Sequence, residues 1–319
     1  MIKGKKIFVT GGAGFIGTSL IKRLINDNKI VAYDNLHRNA LRYSGFLKHP
    51  NIKLIEGDVM DFANVRKSIK GCDMVVHLAA IAGVDTVLSM PVRTMEVALI
   101  GTYNALKAAI KEGGCERFID FSTSEVFGSF AYNVNETNPT TLGTVGEARW
   151  TYAVSKLATE HLALSYFREY KLPALAIRPF NIFGPMQVGI GAIHVFIKKA
   201  LKNEPIQIHN EGGQIRSWCY IDDIVDAVTL CLSKKEAIGQ SFNIGNPRST
   251  LTIYNLAKII KRLCDSDSEI RFVKKEMIDV ELRVPNTDKA KKLLGFEAKI
   301  DLEEGLKRTI EWYKANPKG

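Results

Sequence analysis

The chain has 319 residues, enough for one large or about two smaller domains with a sizeable core. A hydrophobic share of 46% and a charged share of 24% are those of a globular protein, which excludes a disordered or fibrous chain. The net charge of +10 favours phosphate-bearing ligands, but the lysine pairs (Lys198/Lys199, Lys234/Lys235, Lys274/Lys275, Lys291/Lys292) are scattered without interleaved aromatics, so a solvated surface is expected and no nucleic-acid partner.

The opening segment, MIKGKKIFVTGGAGFIG, is apolar only from Ile7 to Val9 before glycines interrupt it, and reads as mature structure rather than a signal peptide. Short β-branched runs then alternate with helical patterns: strands at 7–10, 30–34, 52–58, 74–80, 117–123 and 174–180, with helices at 15–26, 92–112 and 152–170. That rhythm predicts a Rossmann-type α/β fold, a doubly wound parallel sheet with helices on both faces. The apolar stretch 74–84 carries His77 and Gly83 and is shorter than the ~20 residues of a bilayer span, so it reads as a buried strand and no membrane partner is expected. After Pro179 the rhythm breaks into a helix at 193–201, a strand at 206–210, a helix at 221–232, a strand at 241–246 and a helix at 253–264. The expected division is a cofactor domain at 1–180, with about 218–246 returning to it, and a smaller C-terminal α/β lobe at 181–217 and 247–319.

The first strand runs into Gly11-Gly12-Ala13-Gly14-Phe15-Ile16-Gly17 and then a helix. Glycines at 11, 14 and 17 permit a tight turn, close backbone approach to a pyrophosphate and close packing of helix on strand. Asp34, ending the next strand, is placed to accept ribose hydroxyls and repel a 2′-phosphate, which selects NAD over NADP. Asp58, ending the third, either meets the adenine or caps the next helix.

Tyr152 and Lys156 lie four apart and share one helix face. A phenol of pKa ~10 becomes a usable base when an ammonium and a cationic nicotinamide favour its phenolate. Upstream, FSTSEVFG (121–128) gathers hydroxyls and a carboxylate at the ligand-binding edge of the sheet. There Thr123 is expected to bond the reacting hydroxyl and Glu125 to serve as a second acid or base. Taken alone, Arg216 and Arg283 read as surface residues. Five cysteines without C-x-x-C spacing and six histidines without ligand spacing point to a reducing, cytoplasmic setting and to no metal.

Together TGGAGFIG, HLAA (77–80), STSEVFG, the Tyr/Lys pair, RPFNIFGP (178–185) and the tail DVELRVPNTDKAKKLLGFEAKIDLEEGL resemble the extended short-chain dehydrogenase/reductase superfamily of NAD-dependent nucleotide-sugar epimerases, dehydratases and decarboxylases. The resemblance implies a triad of Thr123, Tyr152 and Lys156, with Tyr152 taking the sugar O4 proton while C4 gives hydride to NAD. It also implies cofactor contacts from Phe15, Ile16, Asn35, Val59, Leu78, Ala79, Ala80, Ser122, Tyr152 and Lys156. For a nucleoside-diphosphate sugar, a UDP-sugar above all, it implies contacts from Val84, Thr123, Arg149, Asn181, Gln207, His209, Arg216 and Arg283. A homodimer that pairs helices 98–109 and 152–167 into a four-helix bundle is a further implication.

Dehydratases of this group carry Thr-Asp-Glu where this chain has Thr123-Ser124-Glu125, and simple 4-epimerases lack an acid at 125. The sequence is most similar to UDP-glucuronate decarboxylases, which share STSEV and a basic residue before the tyrosine; here Arg149 and Arg283 would hold a carboxylate. It departs from them at Ala82-Gly83-Val84-Asp85-Thr86-Val87, where a proline- and tyrosine-bearing loop is usual. A UDP-uronic acid decarboxylase is therefore expected, ahead of a UDP-sugar 4-epimerase, a 4,6-dehydratase and a non-catalytic NAD-binding regulator.

Overall fold

The computed structural model describes residues 2–189, 191–274 and 279–317. Its centre is a seven-stranded parallel sheet. Five strands come from the first half: β1 (Lys6–Thr10), β2 (Lys29–Asp34), β3 (Ile52–Glu56), β4 (Met74–His77) and β5 (Arg117–Phe121). With strands Ala174–Pro179 and Ser241–Ile244 the spatial order is Ser241–Ile244, Ala174–Pro179, β5, β4, β1, β2, β3, the doubly wound pattern.

The near-continuous apolar character of these strands follows from burial on both faces. Alternate side chains serve alternate cores. Ile7, Val9, Met74, Val76, Ile119 and Phe121 face helix α1 (Phe15–Leu24) and helix Ile221–Ser233. Phe8, Val75 and Phe118 face α2 (Phe62–Ile69), α4 (Pro91–Glu112) and α5 (Thr151–Tyr170).

The stretch 74–84 is not one strand. β4 stops at His77, the chain loops past Gly83 (φ 101°), and the short α3 (Val84–Ser89) follows. β4 ends in register with Thr10 of β1 and Asp120 of β5, so the chain leaves the sheet where its neighbours turn away.

A second, four-stranded sheet takes Thr250–Thr252, Ile215–Ser217, Leu282–Pro285 and Phe130–Val134 in that order. It draws its edge strand from within the first 180 residues. Strand Ile206–His209 pairs in parallel with Ile270–Val273. Among the described residues no helix is long and apolar enough to cross a membrane, no His/Cys/Asp/Glu group is arranged to hold a metal, and all five cysteines are free thiols.

Candidate active site

The glycine turn is built as its sequence requires. Gly11 adopts φ 66°, and a Cβ there would stand 2.9 Å from the backbone of Leu78 and Ala79. A Cβ at Gly17 would stand 2.4 Å from the Gly11 carbonyl oxygen, so α1 packs against the turn only with glycine in place. No side chain caps α1 at Gly14, and the helix presents its first N–H groups, with Phe15 and Ile16, to an anion. Asp34 holds the turn from the β2 end: its carboxylate accepts from Ala13 N (3.0 Å) and Leu36 N (2.7 Å). Burial pushes this carboxyl up, while the Leu36, Ala13 and Gly14 amides pull it down.

Asn35 lies exposed beyond Asp34, its side chain accepting from His37 N (3.1 Å). Asp58 does not cap a helix. Asp61 is the N-cap of α2, accepting from Asn64 N, while Asp58 accepts from Met60 N (2.9 Å) and pairs with Arg93 at 2.6 Å. The competing cap lay three residues on, where the chain turns into α2. Val59 packs under Gly101 of α4, and its carbonyl accepts from Asn104 (3.0 Å). Leu78, Ala79 and Ala80 form the loop after β4, against the glycine turn, and Ser122 is buried where β5 ends.

Tyr152 and Lys156 occupy the first turns of α5, and the phenol is hydrogen-bonded to Thr123. Thr123 also caps the turn it begins, its hydroxyl accepting from Glu125 N (3.2 Å). Without NAD, the surroundings of the phenol favour its protonated form. Burial and the negative charges of Glu125 and Asp120 push Tyr152 up, outweighing Thr123 and Arg283. The Lys156 ammonium faces Asp120 Oδ1 at 3.9 Å, where the two charges are 2% and 0% exposed.

Glu125 is a caged carboxylate. Arg149 Nη1 donates to its Oε2 at 2.7 Å and Arg283 Nη1 to its Oε1 at 3.4 Å. Burial alone would raise this carboxyl, but Arg283 and Arg149 overcome it and hold it below the usual carboxylate range. Glu125 is thus ionised at neutral pH in the ligand-free protein, the form that accepts a proton. Arg149, Arg216 and Arg283 are buried, and the reading of Arg216 and Arg283 as surface residues fails because the second sheet sets their strands side by side, Arg216 opposite Arg283. Burial brings Arg216 down to about 10, with Asp279 at 3.6 Å as counter-charge.

A cavity of about 510 Å³ opens beside this cluster. Its lining brings together Val84, Glu125, Arg149, Asn181, Gln207, His209, Arg216 and Arg283 from seven separate segments. Gln207 and His209 project from alternate positions of strand Ile206–His209, and Asn181 (φ 41°) is fixed by donating to Ser217 O at 2.8 Å. Thr123, Tyr152 and Lys156 are not part of that lining; they meet it through Glu125. Sequence reasoning missed Gln187, Lys199, Trp218 and Asp279 in the cavity wall, none of which carries a local signal. It also missed Asp120, whose signal was a lone acid inside the apolar strand RFIDF.

The parallel sheet, the glycine turn and the Tyr/Lys helix define a Rossmann-type dinucleotide-binding fold. Residues 7–245 match the NAD dependent epimerase/dehydratase family, and the chain belongs to it, with NAD as its cofactor. It is 32% identical to a UDP-N-acetyl-alpha-D-glucosaminuronate decarboxylase of Bacillus cytotoxicus, over 97% of this chain and 98% of that one. Among solved structures it is similar to a UDP-glucose 4-epimerase of Thermotoga maritima (TM-score 0.90, 30% identity, 98% of this chain and 99% of that one). It is also similar to a dTDP-glucose 4,6-dehydratase of Streptomyces venezuelae with NAD bound (TM-score 0.90, 26% identity, 98% of each chain).

Proposed function

We propose that the protein decarboxylates a UDP-uronic acid through transient oxidation of the sugar C4 hydroxyl. The observation that carries this reading is the buried cluster of Arg149 and Arg283 about Glu125. Three buried guanidiniums, Arg149, Arg216 and Arg283, face two carboxylates there, Glu125 and Asp279, and Arg149 Nε, Arg283 Nε and Arg283 Nη2 have no partner among the described residues. Buried donors with charge to spare suit a second carboxylate, that of the sugar acid.

The glycine turn and Asp34 would hold NAD, which would supply the hydride acceptor for C4. Thr123 and Tyr152 hold the O4 hydroxyl, and Tyr152 takes its proton. The resulting 4-ketone is β to the C5 carboxylate, so the C5–carboxyl bond breaks, carbon dioxide leaves and its electron pair enters the enolate. Arg149 and Arg283 orient the carboxylate, while ionised Glu125 opposes a second negative charge, a repulsion relieved as carbon dioxide departs. A proton from water then adds at C5, and with C4 reduced again Tyr152 gives its proton back to O4. Ser124, buried where an acid would be needed to expel water, disfavours dehydration.

Gln207 and His209 are proposed to flank the uracil, and Asn181 and Arg216 the diphosphate. In the same reading residues 1–180 with 218–246 hold NAD, and 181–217 with 247–319 hold the sugar nucleotide. Mass spectrometry of products from a panel of UDP-, dTDP- and GDP-sugars tests the proposal. Loss of one carbon dioxide from a UDP-uronic acid without net NADH is expected; a product of unchanged mass or loss of water would replace it with epimerisation or dehydration.

We further propose a homodimer through α4 and α5, which pack on each other and leave Ile100, Tyr103, Val154 and Tyr170 exposed. Light scattering should give twice the chain mass, and a monomer would refute this.

A further inference from the structure

Residues 34–40 arch over the glycine turn and are tied to it at both ends. Asp34 Oδ2 accepts from Ala13 N (3.0 Å), and Ala40 N donates to Ala13 O (2.7 Å). Arg38 stands within this arch and is half-buried. Its guanidinium lies between two turns that are remote from each other in sequence. A Cβ at Gly189 would stand 3.0 Å from the guanidinium carbon, and a Cβ at Gly83 would stand 3.4 Å from Nη2. The same Nη2 donates to Thr86 Oγ1 at 3.3 Å.

Both turns serve the cavity. The first opens α3 and carries Val84 and Asp85, and the second carries Gln187, all three in the cavity lining. The second turn also has an anchor of its own, since Tyr313 of helix Leu302–Ala315 donates to Gln187 O at 2.8 Å. Arg38 itself is poorly provided for. Among the described residues no carboxylate pairs with it, its one side-chain hydrogen bond is long and goes to a neutral hydroxyl, and burial lowers it with no charge to offset the effect. A guanidinium with spare donors, tied through its own backbone to a diphosphate-binding turn, is matched by an anion bound there.

We propose that Arg38 binds the diphosphate of NAD and thereby fixes the Gly83 and Gly189 turns, so that loading of the cofactor orders one wall of the sugar-nucleotide cavity. The inference rests on NAD as the cofactor and on that cavity as the sugar-nucleotide site, and not on which reaction follows. The coupling is reciprocal: whatever Arg38 passes from cofactor to cavity, a ligand in the cavity returns to the cofactor.

The test needs only NAD. Amide hydrogen exchange, followed by mass spectrometry on NAD-free and NAD-saturated protein, reads the 83–89 and 184–189 segments. In the parent, NAD should slow exchange in both by about fivefold or more. Arg38→Met keeps the stem but removes the charge and the donors. It should raise the Kd for NAD about tenfold and, at saturating NAD, abolish the slowing in both segments while that of the glycine turn remains. Thr86→Val removes only the neutral acceptor; it should leave NAD affinity unchanged and lose the slowing in 83–89 alone, which keeps the proposal testable should Arg38→Met not fold. A merely structural Arg38 would, on removal, speed exchange without NAD and leave the NAD-dependent difference as it was. That difference surviving in the folded variants, an unchanged Kd in Arg38→Met, or parent segments that do not respond to NAD would overturn the proposal. None of these readouts involves turnover, so failure here is distinct from failure of the decarboxylase reading, which product masses decide.

Discussion

Tyr152→Phe should lower kcat on the confirmed substrate by about 10²–10⁴-fold while leaving NAD affinity and thermal stability near those of the parent. The phenol oxygen is the one group of α5 hydrogen-bonded to Thr123 at the end of β5, and removing it deletes the proton acceptor without disturbing the glycine turn or Asp34. The measurement is single-turnover reduction of bound NAD followed by product analysis. A variant that turned over at the parent rate would end the assignment of Tyr152 as base and revive the reading of a non-catalytic NAD-binding protein.

The second large effect is on stability. Glu125→Leu should cost about 3–5 kcal/mol at neutral pH, because it strands two buried guanidiniums that the carboxylate now satisfies. Glu125→Gln, which keeps an acceptor, should cost less. The pH dependence has a definite sign. Glu125 lies below the usual carboxylate range when folded, so its contribution is fully present above the unfolded value of ~4.3 and is lost as pH falls through the lower folded value. Denaturant unfolding from neutral pH downward should show this loss in the parent and a shallower slope in Glu125→Gln. Equal slopes would mean that the folded protein does not hold Glu125 below its unfolded value.

The same carboxylate carries a functional consequence. An ionised Glu125 can repel a substrate carboxylate or accept a proton, but it has none to donate near neutrality. Chemistry that needs an acid at this position would have to find it elsewhere, and Ser124 is the neighbour on the chain.

The sequence by itself determined whatever depends on neighbours within a few positions. The strand–glycine turn–helix unit, Asp34 at the end of β2, and the shared helix face of Tyr152 and Lys156 are local consequences of backbone sterics and the 3.6-residue period. The alternation of strands and helices up to Pro179 was legible for the same reason, because each element announces its own periodicity; the short α2 and α3 were not, having too few turns to establish one. Tertiary structure decided what depends on residues far apart. The second sheet joins strands from 130–134, 215–217, 250–252 and 282–285, and only that pairing buries Arg216 and Arg283 and brings Arg283 to Glu125, 158 residues away along the chain. Likewise, the pairing of Lys156 with Asp120 is a matter of which strand end lies under α5. Charge pairing is set by distance in space and by the loss of water around it, and neither quantity is written in local sequence.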